Sequence, residues 1–479
     1  MAQQNKELDI CVIGGGAGGL AAAAAAAAMG ASVVLIEKGR MGGQSLEGGM
    51  VPSKALLTAA GYANAVRSGA RFGVKTVRSG IDFAAVIAHA RQAMQAVAPQ
   101  VSAERFAGLG VRVIAGTARF KDANAVEAGD ATIKARRFII ATGSSPIVPA
   151  IPGLAEAPYL LPQTVFDLSD CPRHLVIVGA GNSGLELAQA FRRLGSDVTV
   201  LEAETPLRRE DHECAAVVLD ALTREGVKLL TRIKVAQVRR MLARIQVVIA
   251  KPEGGEQTIE GTHLLVAAGR VPNIEDLNLD AAGIRHAPHG IVVDKYLRTR
   301  NKKVYAIGDV VGGPKFAHVA HHHAGLVVRN ALFRSKVALD RRALPWVTYT
   351  DPELAQIGFL EDEARAHAGT IRILRWPYRE NDRAVASGAT NGHIKVITDN
   401  RGGILGVTIV GAAASENIAI WSLAVGQKLK IGALASLIAP LPTYAEVGKR
   451  AAITYFMRGL TTSRVRRIIG SLRRLGGNG

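Results

Sequence analysis

Two glycine-rich turns, each followed about 20 residues later by a carboxylate, carry the first readable chemistry in this chain. Gly14-x-Gly16-x-x-Gly19, with Ala17 inside it, leaves an apolar run at residues 8–13; a second run, 32–36, ends at Glu37, with Lys38 beside it. Gly179-x-Gly181-x-x-Gly184, with Asn182 and Ser183 inside it, leaves the run 175–178, and the run 198–201 ends at Glu202. Glycines at this spacing let the backbone approach a pyrophosphate, and the helix that begins there turns the positive end of its dipole toward the charge. The acid then accepts hydrogen bonds from ribose hydroxyls. A lone glycine fingerprint is a weak signal. One framed by two strands and closed by an acid is strong, and two in one chain predict two dinucleotide sites.

The elements that position these turns are strand–helix–strand units. An alanine-rich helix through Met29 follows the first turn, and its eight alanines at 21–28 predict close packing on a sheet. A helix over 185–194 follows the second. Between the two units the pattern gives helices near 55–70 and 83–97 and strands at 111–114 and 137–140. The fold class is α/β, with two Rossmann-like dinucleotide-binding domains.

At 479 residues, with 48% hydrophobic residues and 52 glycines, the chain is long enough for two to four domains with large cores. A formal charge of +19 admits a nucleic-acid surface, an anionic membrane surface or a general basic habit. No nucleic-acid-reading motif is present, and no nucleic-acid partner is expected. Cys11, Cys171 and Cys214 form no disulfide or metal-finger spacing, which points to a reducing cytoplasm. No signal peptide and no apolar run of transmembrane length is read. His318 and the run His321-His322-His323 include an i, i+4 pair, but nothing completes a ligand set, so no metal is expected.

After the first acid comes the stretch 41–54, Met-Gly-Gly-Gln-Ser-Leu-Glu-Gly-Gly-Met-Val-Pro-Ser-Lys. With the turns before it, this layout resembles the flavoprotein disulfide reductases (class I pyridine nucleotide-disulfide oxidoreductases; lipoamide dehydrogenase, glutathione reductase, mercuric reductase). Their segment reads Gly-Gly-Thr-Cys-Leu-Asn-Val-Gly-Cys-Ile-Pro-Ser-Lys, and its two cysteines form the redox disulfide beside the flavin. The frame survives here as Gly42, Gly43, Leu46, Gly49, Pro52, Ser53 and Lys54, while the cysteine positions hold Ser45 and Met50. Further segments resemble the family in order. Gly116-x-Ala118-x-Phe120 matches the backbone that meets the adenine end of the flavin, and Ala141-Thr142-Gly143 closes the flavin domain. Gly269-Arg270-Val271-Pro272-Asn273 returns the chain to that domain, Gly308-Asp309 supplies the carboxylate for the ribityl chain, and Phe316-Ala317-His318 lies along the ring. Near the end, the family's His-Pro-Thr-x-x-Glu reads Leu441-Pro442-Thr443-Tyr444-Ala445-Glu446, so the acid–base histidine is Leu441.

The resemblance implies FAD at the first turn, with Gly43, Gln44, Ser45 and Lys54 also near it, and a nicotinamide coenzyme at the second, with Gly269 near it. It implies a homodimer with a C-terminal α+β dimerisation domain. The expected organisation is an FAD domain at 1–150 and 273–342, an NAD(P) domain at 151–272, a dimerisation domain at 343–458 and a basic tail at 459–479. Glu202 favours NADH: a carboxylate accepting from both ribose hydroxyls gains about 1.5–3 kcal/mol and repels a 2′-phosphate. Arg208 and Arg209 lie a few residues on, where they could serve NADPH.

Thiol–disulfide exchange needs a thiolate and a base for its proton, and both are lost together. A disulfide substrate and Hg(II), which also uses thiol ligands, are therefore poor expectations. Lys54 and Glu186, whose family counterparts pair beside the reactive flavin nitrogen, are both kept, as is Glu446. The expected function is an NAD(P)H oxidoreductase that reduces FAD and passes electrons directly to a small acceptor, with a quinone leading. The alternatives are a non-catalytic flavin- or NADH-binding sensor or scaffold, and a peroxide-forming NADH oxidase. In the tail, Val465, Ile468, Ile469, Leu472 and Leu475 fall on one helical face among arginines, a pattern suited to an anionic membrane or to packing on a dimer.

Overall fold

A computed structural model describes residues 8–47, 49–75, 80–251, 254–460 and 463–475. The chain forms two compact units: Met1–Pro206 with Gly226–Leu339, and Leu207–Glu225 with Asp340–Gly479.

The first unit begins with β1 (Leu8–Ile13), α1 (Ala17–Ala28) and β2 (Val33–Glu37). The short α2 (Gln44–Glu47) leads into α3 (Val51–Ser68), whose Pro52 occupies the first turn, where a missing N–H costs nothing. Then come α4 (Phe83–Val97), capped by Asp82, and α5 (Ala103–Gly108), capped by Ser102. Strands β3 (Val111–Ala115), β4 (Ala118–Asp122), β5 (Ala125–Ala128) and β6 (Ala131–Ile140) follow. They form a sheet in the order β3-β2-β1-β6-β5-β4, parallel from β3 to β6. The alanines of α1 pack as the composition requires: Ala22, Ala23 and Ala26 are fully buried.

The same plan repeats. β7 (Ser144–Pro146) and β8 (Tyr159–Leu160) lead to β9 (His174–Val178), α6 (Asn182–Arg193) and β10 (Asp197–Glu202). α7 (His212–Arg224) belongs to the second unit, although its residues lie inside the stretch expected for the NAD(P) domain. The first unit resumes with β11 (Lys228–Thr231), and the parallel sheet runs β11-β10-β9-β15-β8, with β15 at His263–Val266. An antiparallel sheet of β12 (Lys234–Arg240), β13 (Ile245–Ala250) and β14 (Glu256–Gly261) precedes β15. β16 (Arg270–Pro272) pairs antiparallel with β7 and carries the chain back. After the ribbon of β17 (His286–Ala287) and β18 (Gly290–Ile291), β19 (Val304–Ala306) joins the first sheet beside β6. α8 (Ala317–Leu332) then packs on α1 so closely that a Cβ on Gly18 would lie 3.1 Å from the Ala320 Cβ.

The second unit contains α7, α9 (Glu361–Ala368), α10 (Asp382–Ala386) and an antiparallel sheet. Its strands are β20 (Trp346–Thr348), β21 (Glu353–Gly358), β22 (Ile371–Pro377), β23 (His393–Asp399) and β24 (Ile404–Gly411), ordered β20-β21-β24-β23-β22. α11 (Ala414–Gly426), α12 (Ile431–Ala435) and α13 (Glu446–Leu460) share its core around Trp421, and α14 (Ser463–Leu475) follows. The fold is therefore the α/β arrangement expected, with an α+β C-terminal unit.

Candidate active site

The two glycine turns are built alike, atom for atom. Gly14 (φ +107°) and Gly179 (φ +109°) are left-handed, and a Cβ on either would stand 2.4 Å from a backbone oxygen of the neighbouring strand end, Ala141 and Ala267. A Cβ on Gly19 would meet the Gly14 oxygen at 1.8 Å, and one on Gly184 the Gly179 oxygen at 2.1 Å. The middle glycines differ: a Cβ on Gly16 or Gly181 would have nothing within 4 Å. First and third glycines are thus demanded by strand and helix packing. The middle one faces open space at a helix N-terminus, where a pyrophosphate fits.

The acids also match. Glu37 accepts from the Gly15 N–H through Oε2 and from the Gly39 N–H at 2.7 Å through Oε1. Glu202 accepts from the Ala180 N–H at 2.7 Å and the Glu204 N–H at 2.9 Å. Each carboxylate is thereby locked beside its turn with lone pairs left for a ribose, so both cradles fit a dinucleotide. Lys38, expected near the flavin, pairs with Asp276 at 3.0 Å in an exposed bridge. Arg208 and Arg209 are exposed and belong to the second unit.

Lys54 on α3 meets Glu186 on α6, Nζ to Oε2, at 2.6 Å. The carboxylate side chain is 9% exposed and the lysine 35%. Their helices place them there: α3 starts at Val51, so Lys54 lies in its first turn, and Glu186 sits between the buried Leu185 and Leu187. A carboxylate among such neighbours is tolerable because the cation compensates it. At the same end of α3, Gln44 and Met50 are exposed and Ser45 is half-buried. The Ser53 hydroxyl donates to the Gly49 and Met50 carbonyls and pins the segment.

Burial disfavours the thiolate at all three cysteines. Burial pushes the Cys11 thiol pKa up, far from any thiolate, and does the same for Cys171, against a partial opposing effect of Ser196. In the second unit burial likewise raises Cys214, and Asp211 and Glu213 add to it. There Leu441 is exposed, and Glu446 is buried with an ion pair to Arg450 at 2.9 Å.

Some connections escape sequence reasoning. Asp309 accepts from the Ser144 hydroxyl at 2.6 Å, and Ser144 accepts from Arg270 Nε at 2.8 Å. Burial lowers the Arg270 pKa, and the Asp309 charge works against that. The guanidinium thus aims a serine that aims the carboxylate. Asn273 crosses to the same strand end, donating to the Thr142 carbonyl at 2.9 Å and accepting from the Ser145 hydroxyl at 2.7 Å. Only the order Gly-Arg-x-Pro-Asn signalled this. Gly308 (φ +71°) donates to Nδ1 of the buried His323 at 3.2 Å, so the third histidine of the run braces the turn before Asp309. Phe316 and His318 stack at 5.4 Å. Ala118 and Ala141 are buried in or beside the first sheet, and Gly143 and Gly269 are left-handed. Among the described residues, no group of three or more His, Cys, Asp or Glu side chains is arranged to hold a metal.

Comparison with known proteins agrees with this geometry. Residues 8–324 match the pyridine nucleotide-disulphide oxidoreductase family, and 344–452 match that family's dimerisation domain. Mercuric reductase of Streptomyces lividans is 36% identical over 468 residues, 95% of this chain and 98% of that one. Dihydrolipoyl dehydrogenase of Geobacillus stearothermophilus is 33% identical, covering 93% of this chain and 96% of that one. Among solved structures, LpdA from Mycobacterium tuberculosis superposes with a TM-score of 0.85 at 28% identity, over 93% of this chain and 99% of that one. The HOCl-induced flavoprotein disulfide reductase RclA of Escherichia coli gives 0.82 at 27% identity, over 93% and 99%. With duplicated dinucleotide cradles, the Lys54–Glu186 pair and these matches together, the chain belongs to the pyridine nucleotide-disulphide oxidoreductase family of FAD-dependent enzymes.

Proposed function

We propose that this protein is an NADH-dependent flavoenzyme that passes electrons from FAD directly to a small acceptor, a quinone, with no disulfide relay. The observation that carries the reading is a pairing of loss and retention. Ser45, Met50 and Leu441 stand where the relay and its base would be, while Lys54 and Glu186 remain joined at 2.6 Å. FAD, when bound, takes hydride from the nicotinamide and gives up electrons to a second acceptor.

The chain's own residues supply the rest. Gly16 and the N-terminus of α1 bind the flavin pyrophosphate, Glu37 orients its ribose, and Asp309 holds the ribityl chain. Gly181, the N-terminus of α6 and Glu202 do the same for NADH. Lys54 holds a positive charge at the reacting end, and Glu186 holds Lys54. Ser45 and Met50 offer a hydroxyl and a thioether where cysteines would react, a surface suited to a planar, weakly polar acceptor. Relatives named as mercuric and disulfide reductases differ from this chain in the acceptor, on this reading. Two subunits related through the dimerisation domain form the working enzyme. A lipid quinone as acceptor places it at the inner face of a membrane.

The test is anaerobic stopped-flow with the yellow holoprotein. NADH should bleach the flavin quickly, NADPH slowly, and a naphthoquinone should restore the colour faster than air or an aromatic disulfide. No bleaching with either coenzyme leaves a flavin-binding sensor or scaffold, and fastest return in air makes it a peroxide-forming oxidase.

The coenzyme preference has its own check. Glu202→Ala removes two locks on the turn and the acceptor for the ribose hydroxyls. Charged hydrogen bonds of this kind are worth about 1.5–3 kcal/mol, so the Kd for NADH should rise roughly 10- to 100-fold while that for NADPH rises less. Equal weakening of both coenzymes would remove the acid from any role in choosing between them.

A further inference from the structure

Hydride transfer makes no use of α14, the last helix of the chain. We propose that α14 is a docking helix for anionic phospholipid, holding the protein on a membrane surface without crossing it. The inference extends the quinone reading by delivering the enzyme to a lipid-soluble acceptor, but it is tested without turnover.

Residues 463–475 contain five arginines, Arg464, Arg466, Arg467, Arg473 and Arg474, and no acid. The apolar positions recur at helical spacing, so one face is apolar and its flanks are cationic. Helices that pack in a core bury such a face: in α4, Phe83, Ile87 and Ala90 are buried, and in α7 so are Val218 and Leu222. In α14 the apolar residues described are uncovered, with Ile468 56%, Ile469 46% and Leu472 61% exposed. Three aliphatic side chains in water on a helix flanked by arginines form the pattern of an interfacial helix, with stems lying along the lipid boundary and cations at the headgroups.

Charge selects the occupant. The α14 of a second copy brings the same five arginines and no acid, so two α14 helices laid against one another repel. Nucleic acid satisfies the arginines but offers nothing to the aliphatic stripe. An anionic leaflet satisfies both, each arginine near it contributing roughly fivefold to binding. No described helix is long and apolar enough to cross a membrane, so the contact is peripheral.

The experiment is co-sedimentation of the full-length holoprotein with two sets of vesicles, phosphatidylcholine alone and phosphatidylcholine with phosphatidylglycerol in a ratio of about 3:1, at low salt and at about 0.5 M salt. Binding should be at least tenfold tighter to the anionic vesicles and weaken in high salt. The double variants Arg467→Glu/Arg473→Glu and Ile468→Ser/Leu472→Ser should each lose at least tenfold, with flavin content and NADH bleaching unchanged. Four outcomes overturn the proposal: no binding to anionic vesicles, binding that both variants leave intact, a change in oligomer mass in the Ser variant, or loss of duplex-DNA retention in the Glu variant without loss of lipid binding. The first two leave direct electron transfer to quinone untouched, since that reading stands or falls on flavin reoxidation.

Discussion

Lys54→Met is expected to slow flavin reduction by NADH by about 10²–10³-fold while the protein keeps its FAD. On the proposed function the flavin is gripped by other residues: the Gly14–Gly19 turn, Glu37 with its two backbone N–H donors, and Asp309 held by Ser144. Lys54 instead contributes a single oriented charge, fixed by a 2.6 Å bond to a carboxylate that is 9% exposed. A fixed charge at a reacting centre acts without reorganising, which is why its removal costs so much more in rate than in cofactor binding. The substitution also leaves Glu186 buried without that cation, so part of the loss would come from the carboxylate shifting rather than from the missing ammonium. A cycle with Glu186→Gln separates the two. If lysine and glutamate act as a unit, the double variant is about as slow as either single one. Stopped-flow absorbance reads the rate and flavin fluorescence after filtration reads retention. Rates within about threefold of the parent would mean that the pair survives only as packing between α3 and α6.

Much of this was legible because its signals are local. The strand at 8–13, the turn at Gly14–Gly19 and the end of the second strand at Glu37 depend on a short apolar run, on glycine's freedom and on a carboxylate at fixed distance, all present within one unit. The same holds for Gly179 to Glu202. Ser45, Met50 and Leu441 stand out only against the family frame, because they are unremarkable residues in themselves. What could not be seen was long-range. Nothing in residues 207–225 announces that α7 packs with the C-terminal sheet, since its periodicity would serve any sheet. Arg270, Ser144 and Asp309 meet only because β7 and β16 pair, bringing together residues 126 positions apart. His323 looked like one of three equivalent histidines; helical phase turns it inward to Gly308 and leaves His321 and His322 on the exposed side.

Long-range electrostatics is also what ties α7 into the second unit, and it predicts the largest change in stability. Lys395 on β23 is 5% exposed, and its ammonium reaches Asp211 at 2.8 Å, Glu361 at 3.1 Å and Glu213 at 3.4 Å. Burial works against its charge, and the hydrogen bonds to Asp211 and Glu361 outweigh it, so its pKa ends raised. Lys395→Met removes a buried cation shared by three carboxylates, two of them on the segment that enters from the middle of the chain. Of the three, Asp211 is the deeply buried one, 5% exposed, and leaving its charge without that cation costs about 3–5 kcal/mol, which should lower the calorimetric transition of this unit by roughly 10 °C. Arg375 still compensates Glu213, whose pKa its guanidinium, at 2.7 Å, holds down at about 2 despite burial, and Arg365 still pairs with Glu361 at 2.7 Å. That depression gives the pH dependence its sign. An unfolded glutamate takes a proton near 4.5, so between about pH 4.5 and 2 the unfolded chain binds more protons than the folded one. The stabilisation is complete above that window and is lost as pH falls through it. Arg375→Gln should therefore flatten the acid limb of stability below about pH 4.5, while Lys395→Met lowers the whole curve at neutral pH. A methionine variant that melts with the parent would mean that α7 is held by its apolar face, Val218 and Leu222, and that the ion cluster adds nothing.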